Sequence, residues 1–371
     1  MQKRFAFIDL HKGWSLILMI ETHIFNAMLM PAVKEYGWFS VLNFINGLIA
    51  PSFIFISGFA FMIASQRKMD EFRKFKYQFW RQLGRIALIL IAGYLLHMPY
   101  LSLDKMLANQ TNDEVINFLK VDVLQCIAVS LLFLFLLRIF IRKDKVFNYV
   151  LIFSMLIILA SSLFFWKTDL TSVMPLFFAN YFNTLHGSLF PVFPWSAFMI
   201  TGALTGMLFI QARAENREKD YFKASFLICG ITSVASGILL FPGVLPEIIP
   251  NPVFFLMRAA LVMLVLVFFW YYERKRNTEA SFVLDISRES LLVYWLHLQI
   301  IYRKFWDDQS LNSIVNMSWN IWQAIGATVL LILLMYICAK LWGTFKLKYT
   351  SQARTLVILS VIIISLIFLF N

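Results

Sequence analysis

Hydrophobic residues run along the chain in long stretches that short polar connections separate. About 20 consecutive apolar residues are enough for an α-helix to cross a bilayer. Eleven spans are predicted, of which the ninth is short and the second contains Pro51. They cover residues 8–30, 41–64, 83–101, 121–141, 148–166, 193–211, 223–242, 253–271, 289–303, 320–342 and 353–370. The pattern predicts an all-α polytopic membrane protein. No connection is long enough for a soluble domain, so one transmembrane domain is expected over residues 1–371.

The composition agrees with this class. The chain is 60% hydrophobic and only 15% charged, whereas about a quarter of the residues of a soluble protein are charged. The three cysteines, Cys126, Cys229 and Cys338, lie in apolar runs, so no disulfide framework is expected. The first apolar run carries charged residues and lacks a small-residue cleavage site. We therefore interpret it as a membrane helix and not as a cleaved signal peptide.

Positive charges alternate along the chain from one connection to the next. The chain carries a net charge of +12, yet its lysines and arginines are concentrated in every second connection. Seven lie between Arg67 and Arg85, and four lie in each of 138–145, 213–223, 274–288 and 340–354. The positive-inside rule then predicts a cytoplasmic N-terminus and an extracytoplasmic C-terminus. The basic excess is thus attributed to topology and to anionic membrane lipids, with no nucleic-acid partner.

A polar stripe runs along the first predicted span. Lys12 and His23 are eleven residues apart, a step that returns to within about 20° on a helix and rises about 16 Å. Asp9 falls within about 60° of both. Charged groups are costly in lipid, so this stripe is expected to face a protein interior or a wet cavity. Lys12 has a simpler alternative, because a lysine near a helix end also reaches the membrane surface.

The predicted topology also places other candidate residues at particular depths in the membrane. In the ninth span, Ser290, Tyr294 and His297 have i, i+4, i+7 spacing and share one face. His186 and Arg258 are placed towards the outer side. A lone membrane histidine is often only a helix-packing partner, and this alternative stays open for each. The histidines show no metal-ligand spacing, so no metal is expected.

Five segments resemble motifs of the transmembrane acyltransferase superfamily, in the family's order and over about 300 residues. The segments are 4–13 followed by His23, 51–59 with Ser57-Gly58-Phe59, 81–85 with Arg81 and Arg85, 190–206 with Phe-Pro-Trp195, and 290–297. The segment around Trp195 is similar to the heparan-α-glucosaminide N-acetyltransferase catalytic-domain branch, which is related to the acyltransferase-3 branch. Those heparan-type enzymes have a histidine eleven residues after the position of His23, where this chain has Lys34.

The resemblance implies transfer of an acetyl (acyl) group from cytoplasmic acetyl-CoA to an extracytoplasmic acceptor. Such a transfer needs a base for the acceptor proton, and a neutral imidazole serves near pH 7. His23 is predicted to be the base, with His297 as a further catalytic residue. Asp9 is predicted to hold Lys12, which would meet the donor near the cytoplasmic mouth. Which histidine is the working base stays open.

The predicted binding residues are divided between the donor and the acceptor. CoA phosphates need cationic partners, and Arg81 and Arg85, together with Lys12, are predicted to supply them. His186, Arg258 and Tyr294 are predicted to bind the acceptor, a glycan or a lipid-linked molecule. O- versus N-acylation, acyl chain length and a homo-oligomeric state stay open.

Two other function classes compete with this interpretation. A proton-coupled secondary transporter would use Asp9, Lys12 and His23 as its relay. However, the sequence shows no internal repeat and no paired broken helices, which are typical of such transporters. A structural membrane protein with incidental polar packing is the third class. The short connections and the lack of a targeting peptide favour a multi-pass protein of a bacterial inner membrane.

Overall fold

The computed structural model describes residues 5–99, 102–108, 113–240, 248–276, 281–304 and 309–370. These residues are mostly helical, contain no β-strand, and include one isolated bridge between Leu29 and Trp319. Short 3-10 turns lie at Gln66–Lys68 and Leu170–Ser172. The first helices are α1 (Ala6–Met28), α2 (Pro31–Lys34), α3 (Gly37–Asn46), α4 (Ile49–Ser65), α5 (Met69–Arg73), α6 (Tyr77–Leu96), α7 (Leu103–Ala108), α8 (Asp113–Phe118), α9 (Val123–Phe140) and α10 (Asp144–Phe165). They continue with α11 (Leu176–Ala179), α12 (Val192–Ala214), α13 (Glu218–Leu239), α14 (Pro252–Lys275), α15 (Phe282–Arg288), α16 (Ser290–Tyr302), α17 (Leu311–Val315), α18 (Ile321–Lys348) and α19 (Thr350–Phe370).

Helices occupy all eleven predicted spans, which confirms the all-α polytopic membrane class. Within the described ranges, nine helical segments are long and apolar enough to cross a membrane, by length and composition. The other two predicted spans correspond to α1, which carries the polar stripe, and to α16, which has only 13 residues. Residues 100–101 and 241–242 of the predicted spans, and Arg4 of the first motif, lie outside the described residues. The predicted orientation and the single domain stay predictions.

The helices form two compact units. The first unit combines the chain up to Ile49, a short segment around α7, and the chain from Phe269 onward. The second unit contains the segment from Ala50 to Pro99 and the chain from α8 to Phe268. The segments of the first unit are therefore far apart in sequence, and only the folding of the chain brings them together.

Helix α1 packs in the first unit against α15, α16 and α18. Gly13 permits the approach of α15, because a methyl group at this position would overlap the carbonyl oxygen of Val283. At the start of α1, the backbone N–H groups of Ala6 and Phe7 donate to the Glu273 carboxylate, with N–O distances of 3.2 and 2.9 Å. A carboxylate at a helix N-terminus satisfies unpaired donors and is favoured by the helix dipole. These contacts fix the helix that carries Lys12 and His23.

Two glycines allow a close helix crossing in the second unit. A methyl group at Gly58 of α4 would overlap the carbonyl oxygen of Met199, and one at Gly202 of α12 would overlap that of Phe55. Small residues let membrane helices approach this closely. Gly58 and Gly202 belong to two of the segments that resemble the acyltransferases, so the structure gives these motifs a packing role.

Candidate active site

The two histidines that the sequence analysis assigned to catalysis lie side by side in the first unit. His23 is on α1 and His297 is on α16, and their ring centroids are 5.4 Å apart. His297 is fully buried, whereas His23 is half-buried. A base that takes a proton from a substrate must be reachable, and His23 meets this condition better than its neighbour.

The ring of His297 has a defined hydrogen-bonded orientation. Its Nδ1 lies 2.7 Å from the backbone carbonyl oxygen of Val293, one helical turn earlier. A carbonyl oxygen only accepts hydrogen bonds, so Nδ1 carries the proton and donates it. In the neutral ring, Nε2 is then the basic nitrogen. This Nε2 is buried and has no hydrogen-bond partner among the described residues.

Two tyrosines of α16 adjoin the histidines. The ring of Tyr294 lies edge-on to that of His297, with centroids 5.8 Å apart. The hydroxyl of Tyr302 lies 3.2 Å from Nδ1 of His23, and their rings are edge-on at 5.7 Å. The sequence pattern did not point to Tyr302, because this residue lies five residues after His297 and off the face that Ser290, Tyr294 and His297 share.

The remaining stripe residues lie nearer the start of α1. Asp9 and Lys12 are both half-buried, and their pairing stays a prediction. Their neighbour His11 is fully buried, with its ring 6.1 Å from that of Phe269. Neither ring nitrogen of His11 has a hydrogen-bond partner within the described part of the chain. The sequence pattern did not point to His11, because it lies about 100° from Lys12 and off the predicted stripe.

An ion pair with a buried carboxylate supports the N-terminal end of α16. The Glu289 carboxylate is buried and accepts a hydrogen bond from the Lys346 ammonium of α18. A buried charge is tolerated when an opposite charge neutralises it. The pair joins the junction between α15 and α16 to α18, and it was not predicted, since 57 residues separate the partners.

Positive charges cluster at the start of α6 in the second unit. Arg81 and Arg85 lie one helical turn apart and are exposed. Their charges are close enough to repel each other and that of Lys68, which follows α4. Such a cluster is suited to a polyanion, since each guanidinium offers several donors to phosphate oxygens. The two arginines were predicted, whereas Lys68 was not.

His186 lies on the long connection between α10 and α12. Its Nε2 is 3.1 Å from the Asp169 carboxylate. The backbone N–H of Thr171 and the His186 ring both stabilise the ionised carboxylate and lower the pKa of Asp169 to about 2. The second predicted outer cation, Arg258 of α14, is half-buried and stacks on the ring of Phe254, with its guanidinium carbon 4.1 Å from the centroid. Its Nε is buried and has no hydrogen-bond partner among the residues described.

The structure thus brings together His23, His297 and Tyr294, and it adds Tyr302. The predicted residues Asp9 and Lys12 share the first unit with them, whereas Arg81, Arg85, His186 and Arg258 belong to the second unit. The roles of all these residues stay predictions. In the described part of the chain, no group of three or more His, Cys, Asp or Glu residues is arranged to hold a metal ion.

The chain matches the model of a known family. The model of the heparan-alpha-glucosaminide N-acetyltransferase catalytic domain matches residues 4–239, which is more than half of the chain. The matched part includes Lys12, His23 and the arginines of α6, whereas α14 and α16 lie beyond it. No curated protein matches the chain.

Proposed function

The chain belongs to the heparan-alpha-glucosaminide N-acetyltransferase catalytic family, and from this premise we propose that it acetylates an extracytoplasmic acceptor. The family supports a multi-pass membrane acetyltransferase. The proposed donor is cytoplasmic acetyl-CoA, and the acceptor is a hydroxyl or amine of a glycan or similar molecule. The observation that carries the proposal is the contact between His23 and His297, which sets a reachable imidazole beside a buried one.

His23 acts as the general base in the proposed reaction. It takes the proton from the acceptor hydroxyl or amine while the acceptor atom forms a bond to the acyl carbon. The carbon–sulfur bond of the thioester then breaks, and the imidazolium returns the proton to the CoA sulfur. The reaction is balanced and needs no further reactant. General base catalysis of this kind contributes on the order of 10²–10⁴ in rate.

Cationic side chains have two roles in the proposal. Lys12 lies on the same face of α1 as His23, about 16 Å along the helix, and would meet the donor near the cytoplasmic mouth. Arg81 and Arg85 would bind CoA phosphates, with Lys68 beside them. The repulsion among these three charges is relieved when a polyanion binds, which favours binding of the phosphates.

The test is acetyl transfer by the purified protein in lipid vesicles. Labelled acetyl-CoA is offered with glucosamine-containing and neutral oligosaccharides, and CoA thiol release is followed together with the labelled product. The wild-type protein is expected to release thiol in step with product. His23→Ala should lower the rate by about 10²–10⁴ without loss of CoA binding. His97→Ala, which removes a histidine that pairs with Asp122, is the control and should stay within a few-fold of wild type.

Two outcomes would contradict the proposal. Transfer by His23→Ala at close to the wild-type rate would remove His23 as the base. Proton-coupled uptake of a solute without consumption of thioester would instead identify a secondary transporter that uses Asp9, Lys12 and His23.

A further inference from the structure

Tyr302 is placed to hold the ring of His23 in one orientation. It lies in the last turn of α16, and its hydroxyl oxygen is 3.2 Å from Nδ1 of His23. We propose that Tyr302 is a positioning residue that orients the His23 ring and accepts a hydrogen bond from its protonated form. This inference rests on the proposed function, in which His23 is the base.

The hydrogen-bond chemistry of the two side chains supports this role. A neutral imidazole has one N–H and one basic nitrogen, and a hydroxyl is both a donor and an acceptor. When the Tyr302 oxygen accepts from the Nδ1–H of His23, Nε2 is left as the basic nitrogen. When Nε2 takes the proton, Nδ1 still carries its own proton and still donates it to the Tyr302 oxygen. The same contact therefore serves the ring before and after proton transfer.

The surroundings distinguish Tyr302 from the other tyrosine of α16. Tyr294 is buried and packs edge-on against His297. Tyr302 is 42% exposed, although its ring contacts His23. Because the Tyr302 ring is so exposed, its hydroxyl contributes little to the packing of the unit. Removing only the hydroxyl should then disturb the His23 ring more than the fold.

The Nδ1 atoms of the two histidines have different partners. The Nδ1 of His297 donates to the backbone carbonyl of Val293, and no side-chain substitution removes that acceptor. The Nδ1 of His23 instead has a side-chain partner in Tyr302. The hydrogen-bond partner of the His23 Nδ1 can for this reason be removed by a single-atom substitution, which makes Tyr302→Phe an informative variant.

The experiment compares Tyr302→Phe with wild type in the acetyl-transfer assay. We expect kcat to fall on the order of tenfold, the value of about one hydrogen bond, while KM for acetyl-CoA stays within twofold. The acidic limb of the pH profile of kcat should shift to lower pH, because the imidazolium loses its acceptor. Tyr336→Phe is the matched control, since it removes a hydroxyl that Lys340 contacts on α18, and it should leave both quantities unchanged.

The outcomes separate this inference from the proposed function. If Tyr302→Phe has the wild-type kcat and pH profile while His23→Ala is inactive, Tyr302 does not position the base, and the proposed function stands. A fall in kcat without any shift of the pH profile would show a merely structural role and overturn the inference as well. If His23→Ala is active, the proposed function itself fails.

Discussion

His297 lies against His23 with ring centroids 5.4 Å apart, and a hydrogen bond to the carbonyl of Val293 fixes its orientation. Two imidazolium rings this close would repel each other, most strongly where one is fully buried. The pair therefore holds a single proton more readily than two. In the proposed reaction, we expect a neutral His297 to favour the imidazolium that forms when His23 acts as the base.

Substitution of His297 tests this cooperation. His297→Gln removes the second imidazole but keeps a polar side chain of similar length. We expect kcat to fall by about 10-fold to 100-fold, the range known for groups that support a metal-binding imidazole, with the Kd for CoA unchanged. His97→Gln is the matched control and should retain kcat within about twofold. A normal kcat for His297→Gln would leave His297 as a helix-packing partner, the alternative that the sequence left open.

The sequence predicts features that depend on a single helix, whereas contacts between helices depend on tertiary packing. The apolar runs located the helices of the eleven predicted spans, including α16, which is short, but not the short helices of the connections, such as α15. Periodicity also predicted that Tyr294 and His297 share a face, because this depends on one helix alone. The contact of His297 with His23 depends on the packing of α1 against α16, which are remote in sequence. Periodicity gives no information about such packing, and the pair of Glu289 with Lys346 was missed for the same reason.

Arg85 should contribute to CoA binding. Arg85→Ala is expected to weaken CoA binding by about 1.5 kcal/mol, the low end for a hydrogen bond to a charged group, because the side chain is exposed. Isothermal titration with CoA and with dephospho-CoA measures the effect and shows which phosphate is contacted. Lys143→Ala, in a different cytoplasmic connection of the predicted topology, is the control. An unchanged CoA affinity for Arg85→Ala would make Arg85 a determinant of topology alone.

Gly202 should be sensitive to substitution because of the helix crossing. A methyl group at Gly202 would overlap the carbonyl oxygen of Phe55, so Gly202→Ala must move α12 or α4. Overpacking of this kind costs about 1–3 kcal/mol. Thermal unfolding in detergent should show a lowered Tm. Gly230 on α13 is the matched control, because a methyl group there meets no atom within 4 Å. If Gly202→Ala and Gly230→Ala have the same Tm, the close crossing is not a stability determinant.

Asp169 gives the connection between α10 and α12 a pH dependence with a definite sign. The pKa of its carboxyl group is lowered from 3.8 to about 2 by the Thr171 N–H and by His186. A carboxyl with a lowered folded-state pKa contributes stability that is fully present above its unfolded pKa and is lost as the pH falls through the folded pKa. Hydrogen exchange of residues 166–191 should therefore be independent of this carboxyl above about pH 4 and lose protection between about pH 4 and pH 2. Asp169→Asn should lack this transition. If the variant keeps the transition, another group titrates there.

The distribution of charge also predicts the membrane face from which acetyl-CoA is used. The connections rich in lysine and arginine alternate along the chain, and the positive-inside rule places them, with Arg81 and Arg85, at the cytoplasmic face. Acetyl-CoA is a polyanion that does not cross a bilayer, so it should support activity only when it is supplied to that face. His186 lies on a connection of the opposite set, where the acceptor is expected to bind and the acetylated product to appear.

Sealed vesicles of known orientation provide the measurement. Labelled acetyl-CoA is added to right-side-out or to inside-out vesicles that contain an impermeant acceptor on one side, and the side on which product forms is determined. Only inside-out vesicles should use external acetyl-CoA, and their product should accumulate in the lumen. His186→Ala should raise KM for the acceptor more than it lowers kcat, since a binding residue on the acceptor side does not take part in the chemistry. Equal activity from both faces, or product confined to the side of the donor, would contradict acyl transfer across the membrane and leave an enzyme that works on one face.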